Sequence, residues 1–399
     1  MKQFVLKSAP FIVFIMCYAL LGEYLLYQNK ESILIERVSD IQIREQQDLY
    51  YGREILGNSL SNYKFQMFRK KKADVLILGQ SVVLQFRDFM FSPFQNKYYN
   101  TGLMARNVKD LNYVLDLIER EEVHKPKLVL LGVDFSFFLR HTFLDDQEWV
   151  RNFPEDRARS AKSHLKGMQR IFRNSHLFWP PKEQLGFGRA GMRGRGYRKD
   201  GSFRHADVIT RYLQDSSYND GHLLDRLYDR KSPFNEPFAF DLQKEFLFHQ
   251  FLVRLQKAEI EFILYFPPYS DAFFTQAIQD ESFGSFWKDY MKVQLNLKER
   301  GLNLIEFITP AQMGLTDHYM VDAEHAGEVL CALQLRKAVK SGQIKGAYID
   351  QLDFKQVDAL LEQKAALPFS FMSDSISKVQ MEKAVKQLKK NQNKDRGDH

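Results

Sequence analysis

The chain has 399 residues, of which 44% are hydrophobic and 27% are charged, and its formal net charge is +7. This composition excludes a disordered or collagen-like protein and is typical of a globular chain with a substantial core. The two cysteines, Cys17 and Cys331, are too few for a disulfide framework or a cysteine-based zinc site.

Residues 11–27 form an apolar stretch that is interrupted only by Glu23. A helix needs about 20 apolar residues to cross a bilayer, and this stretch approaches that length. Lys2 and Lys7 precede it, which favours a cytoplasmic N-terminus with the remaining chain outside the cytoplasm. Because no small-residue cleavage pattern follows, we predict an uncleaved signal-anchor helix within residues 1–30, with a cleaved signal peptide as the alternative.

The rest of the chain divides by composition into three parts. Residues 31–72 are polar and end in a basic run, which predicts a helical stalk. Residues 73–345 have the pattern of one α/β domain. Residues 346–399, which are lysine-rich from residue 376 onward, predict a helical basic tail.

Five short apolar runs in the predicted domain have the length of strands. Continuous apolar runs are typical of strands that are buried on both faces, and helical patterns lie between them. The sequence therefore predicts an α/β three-layer sandwich around a five-stranded parallel sheet. The predicted strands are residues 74–78, 97–99, 127–131, 261–266 and 302–307, and the predicted helices are residues 82–90, 108–121, 242–257, 283–300 and 326–341.

Residues 140–240 show little strand pattern and predict a large helical and loop-rich insertion after the third strand. Within it, residues 189–205 contain six basic residues and four glycines. We interpret this segment as a loop that meets an anionic polymer, phosphate or lipid head group, although a solvated basic loop is an equal alternative. Nucleic acid is not an expected partner in an extracytoplasmic domain. The candidate substrate-binding residues are Arg193, Arg195, Arg198 and Lys199.

A serine follows the first predicted strand, in the Gly-Gln-Ser sequence of residues 79–81. Ligands of parallel sheets bind beyond the carboxyl ends of the strands, so Ser81 is placed where a nucleophile is needed. If a helix begins there, its free N–H groups favour negative charge. The alternative is that Ser81 only caps that helix. Residues 57–59 also read Gly-Asn-Ser, but they follow no strand.

A base for this serine is expected in His325, which follows Asp322 after the fifth strand. The spacing lets Asp322 accept a hydrogen bond from one imidazole nitrogen, so that the other nitrogen takes the serine proton. The alternatives are that Asp322 caps the last helix, or that the neighbouring Asp317 and His318 form the pair. The histidines show no metal-ligand spacing, and we predict neither a metal nor a cofactor.

Two further loops at strand ends offer groups for an oxyanion hole. Gly102 follows the second strand, and a glycine N–H approaches a substrate closely because no side chain blocks it. Asp134 follows the third strand. The expected oxyanion hole consists of Ser81, Gly102 and Asp134.

In this order the residues resemble the SGNH, or GDSL-like, hydrolases. Ser81, Gly102 and the Asp322–His325 pair match the family's blocks, whereas Asp134 stands where the family has asparagine. The resemblance covers residues 74–139 and 261–341 and implies a flavodoxin-like fold. Among its members, the chain looks most like the membrane-anchored proteins of alginate acetylation and teichoic-acid D-alanylation.

This resemblance implies a domain outside the bacterial cytoplasmic membrane, in the periplasm. It also implies a multi-pass membrane acyltransferase as the partner that delivers the acyl group, and a polysaccharide as the acceptor. The expected function is therefore a serine-dependent O-acyltransferase, with acetyl as the acyl group. An esterase or deacetylase that uses water is one alternative. A non-catalytic assembly factor for glycan export is another, because an ionised Asp134 would repel an oxyanion.

Overall fold

The computed structural model describes residues 2–140, 150–152, 155–215, 223–229, 231, 237–362 and 367–371. The chain forms two compact units, each built from two stretches of sequence. Unit 1 consists of Met1–Met67 and Phe153–Lys199, and unit 2 consists of Phe68–Asn152 and Asp200–His399.

The described residues form nine strands and thirteen α-helices. The strands are β1 (Tyr50–Tyr51), β2 (Val75–Leu78), β3 (Tyr98–Asn100), β4 (Leu128–Gly132), β5 (Gly186–Phe187), β6 (Gly196–Tyr197), β7 (Phe203–Arg204), β8 (Glu261–Tyr265) and β9 (Leu304–Ile305). The helices are α1 (Lys2–Gln28), α2 (Ile35–Arg44), α3 (Leu60–Lys71), α4 (Val108–Glu119), α5 (Ala161–Arg173), α6 (Gly188–Met192), α7 (Ala206–Gln214), α8 (Leu223–Tyr228), α9 (Leu242–Lys257), α10 (Asp271–Ala277), α11 (Glu281–Glu299), α12 (Glu328–Lys340) and α13 (Lys355–Glu362).

Unit 2 is built on a five-stranded sheet in the order β3-β2-β4-β8-β9, with every neighbouring pair parallel. The prediction of an α/β fold with a five-stranded parallel sheet is therefore confirmed. In the register, Ile77 of β2 lies opposite Asn100 of β3 and Leu130 of β4. Because the strands are parallel, the loops that follow them all leave the sheet at its carboxyl edge.

Both faces of this sheet are buried. Ile77 and Leu130 pack in one core cluster with residues of α12. Leu76 and Val129 point to the opposite face, since side chains alternate along a strand, and they are also fully buried. Burial on both faces explains why the sequence shows continuous apolar runs here and no alternation.

The helix predicted at residues 82–90 is not formed. The chain makes two short 3₁₀ turns instead, Ser81–Val83 and Asp88–Phe91, and Arg87 between them is extended. In this extended conformation the Arg87 side chain forms buried ion pairs with Asp200 and Glu328, which stabilise the break between the two turns. The expected placement of Ser81 at the start of an α-helix is therefore wrong.

The predicted stalk is also wrong, because residues up to Met67 belong to the folded unit 1. Its polar residues have specific internal partners. The buried Glu31 carboxylate accepts backbone hydrogen bonds from Glu54, Ile55, Leu56 and Arg189, at 2.8–3.0 Å. Arg53 forms an ion pair with Asp156 in which both side chains are 1% exposed. The polar composition therefore reflects internal pairing and not an extended solvated helix.

The segment predicted as one insertion, residues 140–240, is divided between the units, with Phe153–Lys199 in unit 1. It contains strands as well as helices, since β1 pairs in parallel with β5 and antiparallel with β6. These strands have two residues each, which is too short for a periodic pattern to show in the sequence.

The predicted C-terminal tail begins later than expected. Ile349, Leu352 and Val357 are part of the main core cluster, so this stretch is integral to unit 2. Residues 372–399, where the lysine-rich part of the predicted tail lies, are outside the described residues.

From Lys7 to Gln28, α1 is long and apolar enough, by length and composition alone, to cross a membrane. Its C-terminal half packs on α5. The rings of Tyr18 and Phe172 stack with 4.3 Å between their centroids, and Glu23 Oε1 lies 2.6 Å from His164 Nδ1. Residues 9–17 of α1 are exposed, for example Phe14, whose exposed fraction is 67%.

The burial of the sheet yields a stability prediction. Replacing Leu130, which is 0% exposed, by alanine leaves a cavity and should lower the free energy of unfolding by about 2–5 kcal/mol in urea denaturation. Leu295→Ala on α11 removes the same atoms from a side chain that is 53% exposed. Its effect should stay within about 0.5 kcal/mol. Equal losses in the two variants would contradict a buried central sheet.

Candidate active site

Ser81 lies on the turn that follows β2, and the shape of this turn depends on Gly79. The φ angle of Gly79 is +138°, in a region that favours glycine. A side chain there would also lie 3.1 Å from the carbonyl oxygen of Gly132 and 3.2 Å from Val83. The turn therefore packs directly on the neighbouring strand and brings Ser81 to the carboxyl edge of the sheet.

The structure brings Ser81, His325 and Asp322 together although 244 positions separate the first two residues. His325 Nε2 lies 2.8 Å from Ser81 Oγ, and His325 Nδ1 lies 2.7 Å from Asp322 Oδ1. In the neutral imidazole, the carboxylate accepts from Nδ1–H and the serine hydroxyl donates to Nε2. This arrangement has the geometry of a serine activated by a general base.

The loop around His325 is held in place by backbone hydrogen bonds. Asp322 Oδ1 also accepts from the N–H groups of Glu324 and His325, both at 3.0 Å. The N–H of Val321 donates to the carbonyl of His325 at 2.7 Å. Asp322 does not cap α12, whose first turn has no side-chain cap. The alternative acid, Asp317, accepts from the first N–H groups of α10 and so stabilises a helix start.

Asp322 and His325 each stabilise the charged form of the other. Burial disfavours the imidazolium, but the nearby carboxylates of Asp322, Glu324 and Asp134 outweigh it and raise the pKa of His325 to about 9. Burial also disfavours the charged form of Asp322, but the interaction with His325 prevails and lowers the pKa of Asp322 to about 2. Asp322 is therefore ionised at neutral pH and stabilises a protonated His325.

Two further acids lie in the electrostatic neighbourhood of His325. Burial raises the pKa of Glu324 to about 7 and also raises the pKa of Asp134. The buried hydroxyl of Tyr269 interacts with both acids and has no hydrogen-bond partner among the described residues. A positive or hydrogen-bonding group that enters this site would meet acidic side chains close to the imidazole.

Of the two backbone N–H donors expected in the oxyanion hole, one is available and the other is used within the protein. No partner for the N–H of Ser81 is found among the described residues, so this donor is available. The N–H of Gly102 is already used, since it donates to Asn100 Oδ1 at 2.8 Å. The expectation of a free Gly102 donor is therefore wrong in this arrangement. A side chain at position 102 would lie 2.9 Å from Leu84 and 3.0 Å from Val83, so these two side chains would have to shift to admit it.

Asp134 is an acceptor in this structure. Its Oδ1 accepts from the N–H of Ser136 at 2.8 Å and so caps the short 3₁₀ turn Phe135–Phe138. Gln80, the residue before the serine, donates from Nε2 to Ser136 Oγ at 2.6 Å. The loop that follows β4 is thus hydrogen-bonded to the serine turn. Among the described contacts, Asp134 donates no hydrogen bond.

A buried ion-pair network connects the serine turn to the histidine loop. Arg87 lies six positions after Ser81, and its guanidinium contacts Asp200 at 3.1 Å and Glu328 at 3.3 Å. All three side chains are at most 8% exposed. Because Glu328 begins the helix that follows His325, the pair holds the serine turn and the histidine loop against each other.

The basic residues predicted to bind substrate belong to unit 1, whereas Ser81, His325 and Asp322 belong to unit 2. Arg198 is 2% exposed, so burial excludes it as a contact for a polymer. Arg193 is paired with Glu54, and Lys199 Nζ donates to the carbonyl of Gln46 at 2.8 Å. Arg195 is exposed on unit 1. These four residues are neighbours along the chain, but they differ in burial and in their partners.

Comparison of the chain with protein-family models, curated proteins and solved structures finds no match. Within the described part of the chain, no group of three or more His, Cys, Asp or Glu side chains has the arrangement of a metal site. The chemistry of this site therefore has to be argued from its own geometry.

Sequence reasoning missed three residues that shape the site. Arg87 and Glu328 form the buried ion pair, and Asn100 donates from Nδ2 to the carbonyls of Val83 and Phe86 at 2.7 and 3.1 Å. A partial signal was present for the two charged residues, since apolar residues surround Arg87 and Asp88, and Glu328 directly precedes the apolar run of residues 329–333. Such residues are buried only when they are paired.

The raised pKa of His325 predicts a pH profile. The base must be neutral, so labelling of Ser81 by a fluorophosphonate should become faster as pH rises, with a midpoint near 9 and above histidine's ordinary 6.5. Asp322→Asn removes a carboxylate that raises this pKa, so the midpoint should fall and the maximal rate should drop by up to about 10⁴-fold. Asp317→Asn should keep the wild-type profile. A midpoint unchanged in Asp322→Asn would contradict the pairing.

The ion-pair network yields a second prediction. Arg87→Met leaves two buried carboxylates without their cation, and the free energy of unfolding should fall by about 3–5 kcal/mol. The matched control, Lys292→Met, breaks a pair with Asp289 in which the side chains are 71% and 42% exposed. It should cost less than about 1 kcal/mol. Similar losses in urea denaturation of the two variants would show that the network is not buried in solution.

Proposed function

We propose that this protein is an extracytoplasmic serine O-acyltransferase that acetylates a bacterial surface or exported polysaccharide through an acyl-serine intermediate. The observation that carries the proposal is the imidazole of His325, which contacts Ser81 Oγ at 2.8 Å and Asp322 at 2.7 Å. The position of these groups at the carboxyl edge of a parallel sheet supports an SGNH-like fold, which the sequence also resembles.

In the first half-reaction, Ser81 Oγ attacks the carbonyl carbon of the acyl donor and passes its proton to His325 Nε2. The tetrahedral intermediate collapses, His325 returns the proton to the leaving group, and the acyl group stays on Ser81 as an ester. In the second half-reaction, His325 removes the proton of a sugar hydroxyl, whose oxygen attacks the ester carbonyl carbon. When the bond to Ser81 Oγ breaks, His325 gives that proton to Ser81 Oγ, which restores the serine hydroxyl and the neutral imidazole. Asp322 fixes the imidazole tautomer and stabilises the imidazolium in both halves.

The oxyanion of each tetrahedral intermediate needs hydrogen-bond donors. The N–H of Ser81 is one such donor. The N–H of Gly102 becomes a second if substrate displaces the side chain of Asn100 that now accepts from it. The burial that raises the pKa of Asp134 favours its neutral acid, the form that donates to an oxyanion and does not repel it.

The packing of α1 supports an uncleaved membrane anchor and not a cleaved signal peptide. Leu25 and Leu26, at the C-terminal end of α1, belong to a core cluster of unit 1 with Met168 and Ile171. Asn29 donates from Nδ2 to the carbonyl of Leu177 and accepts from Arg189. Cleavage after Leu26, at the end of the apolar stretch, would remove both leucines from this cluster. The proposed location is the periplasmic side of the bacterial cytoplasmic membrane, where a multi-pass membrane acyltransferase would supply the acyl group.

An esterase that removes acyl groups is the second candidate. The same three residues catalyse it, with water in place of the sugar hydroxyl. It is favoured by the partial exposure of the site, since the side chains of His325 and Asp322 are 21% and 31% exposed and water reaches both. A transferase needs substrate to exclude this water.

The test replaces the gene in its host by the Ser81→Ala form and measures ester-linked acetate on the surface polysaccharide. The transferase predicts loss of acetate, because no acyl-serine forms without the hydroxyl. Ser59→Ala, in the similar Gly-Asn-Ser sequence of unit 1, should leave the acetate content unchanged.

Each other outcome of this experiment points elsewhere. A gain of acetate in Ser81→Ala contradicts the transferase and identifies the esterase. Unchanged acetate in Ser81→Ala, together with loss of the polysaccharide when the gene is deleted, contradicts both enzymes and identifies a non-catalytic assembly factor.

A further inference from the structure

We propose that helix α5 and the exposed Trp179 bind anionic phospholipid head groups of the bilayer that α1 enters. This inference rests on the membrane anchor of the proposed function but not on its chemistry. All of the residues involved belong to unit 1, so the contact surface is defined within one compact unit.

The first observation is where α1 begins to pack on α5. The contacts of Tyr18 with Phe172 and of Glu23 with His164 show that the two helices are antiparallel. A side chain at Gly22 would lie 2.5 Å from Met168, so the helices touch closely here. The part of α1 before Tyr18 is about 24 Å long at about 1.5 Å per residue. The hydrocarbon core is about 30 Å thick. Because this part of α1 is shorter than the hydrocarbon core, a membrane crossed by α1 extends to the residues of α1 that pack on α5.

The second observation is the charge of α5. Lys162, Lys166, Arg170 and Arg173 are all exposed, and the helix contains no acidic residue. For Lys162, Lys166 and Arg173, no ion pair is found among the described residues. Its opposite face, with Met168 and Ile171, packs in the core cluster with α1. The cations thus line the outer side of a helix that is fixed beside the anchor.

The third observation is the turn that follows α5. Trp179 is 77% exposed, the largest exposed fraction among the large hydrophobic residues of the described chain. Its backbone is not loose, because Arg189 donates to the carbonyls of Trp179 and His176 at 2.6 and 2.9 Å. Tryptophan is enriched at the membrane interface, where its ring lies at head-group level. Arg189 also donates to Asn29 Oδ1 at 2.7 Å, so Trp179 lies near the C-terminal end of α1, and its exposed ring fits a head-group position there.

Basic side chains near a membrane surface are attracted to anionic lipids, and an exposed tryptophan partitions into the interface. A soluble anionic polymer would satisfy the charges of α5, but it would not explain the apolar exposure of Trp179 or the closeness of α1. The lipid head group accounts for all three observations.

The experiment uses the full chain in vesicles of phosphatidylcholine with or without phosphatidylglycerol. Some acyl chains carry bromine close to the head group, which quenches nearby tryptophan. The emission of Trp179 is the difference between wild type and Trp179→Phe, because the other tryptophans, Trp149 and Trp287, are kept. We expect this component to be quenched, and to be quenched more strongly when phosphatidylglycerol is present.

The triple variant Lys162→Gln, Lys166→Gln, Arg173→Gln should lose the increase caused by phosphatidylglycerol. The matched control, Lys257→Gln, Lys288→Gln, Lys337→Gln, makes the same change of net charge at exposed lysines of unit 2 and should keep it. Equal quenching in wild type and Trp179→Phe would overturn the proposal, as would quenching that ignores lipid charge. A protein that washes off the vesicles overturns the anchor itself. The readout does not involve Ser81, so failure of the acyl-transfer chemistry would leave it unaffected.

Discussion

The positions of the serine turn and the histidine loop of unit 2 depend on a buried cation, Arg87. The guanidinium of Arg87 has almost no access to water, and leaving such a charge without a partner would be strongly destabilising. Asp200 and Glu328 supply the partners, and each comes from a distant part of the sequence. Glu328 in turn accepts hydrogen bonds from Ser370 and Phe371 at 3.0 and 3.1 Å. Neutralising the charge of Arg87 therefore fixes where the serine turn, the start of α12 and residues 370–371 lie.

The candidate chemistry follows from that constraint and from the direction of the strands. Parallel strands deliver Ser81 and the Asp322–His325 loop to the same edge. At that edge the acidic neighbours make His325 a stronger base than an isolated imidazole, at the cost of a larger protonated fraction at neutral pH. A site of this kind works best when substrate binding or higher pH removes that proton.

Much of unit 2 could be predicted from the sequence because burial on both faces leaves a strong signal. The runs that became β2, β4 and β8 are continuous and apolar, and their positions differ from the predicted ones by at most one residue at either end. The Ser81, Asp322 and His325 grouping could be predicted because each residue follows a strand. The hydrogen bond that occupies the Gly102 N–H could not be predicted, because it depends on the orientation of the Asn100 side chain.

The fold of unit 1 could not be predicted from the sequence, and the physical reason is a different one. Its order comes from pairings between distant polar groups, such as Glu31 with the backbone of Ile55 and Arg53 with Asp156. Such pairings leave no periodic pattern, so a folded region looked like a polar stalk. Two-residue strands such as β1 and β5 add to the same difficulty.

The central claim is that the Ser81 hydroxyl is a nucleophile that holds an acyl group. It is tested most directly by mass spectrometry of peptides from the full-length protein after brief incubation with an activated acetyl ester. The account predicts one added acetyl group on the peptide that contains Ser81, absent from Ser81→Ala and strongly reduced in a His325→Ala variant. An acetyl group found only on lysines, or equally in His325→Ala, would contradict it.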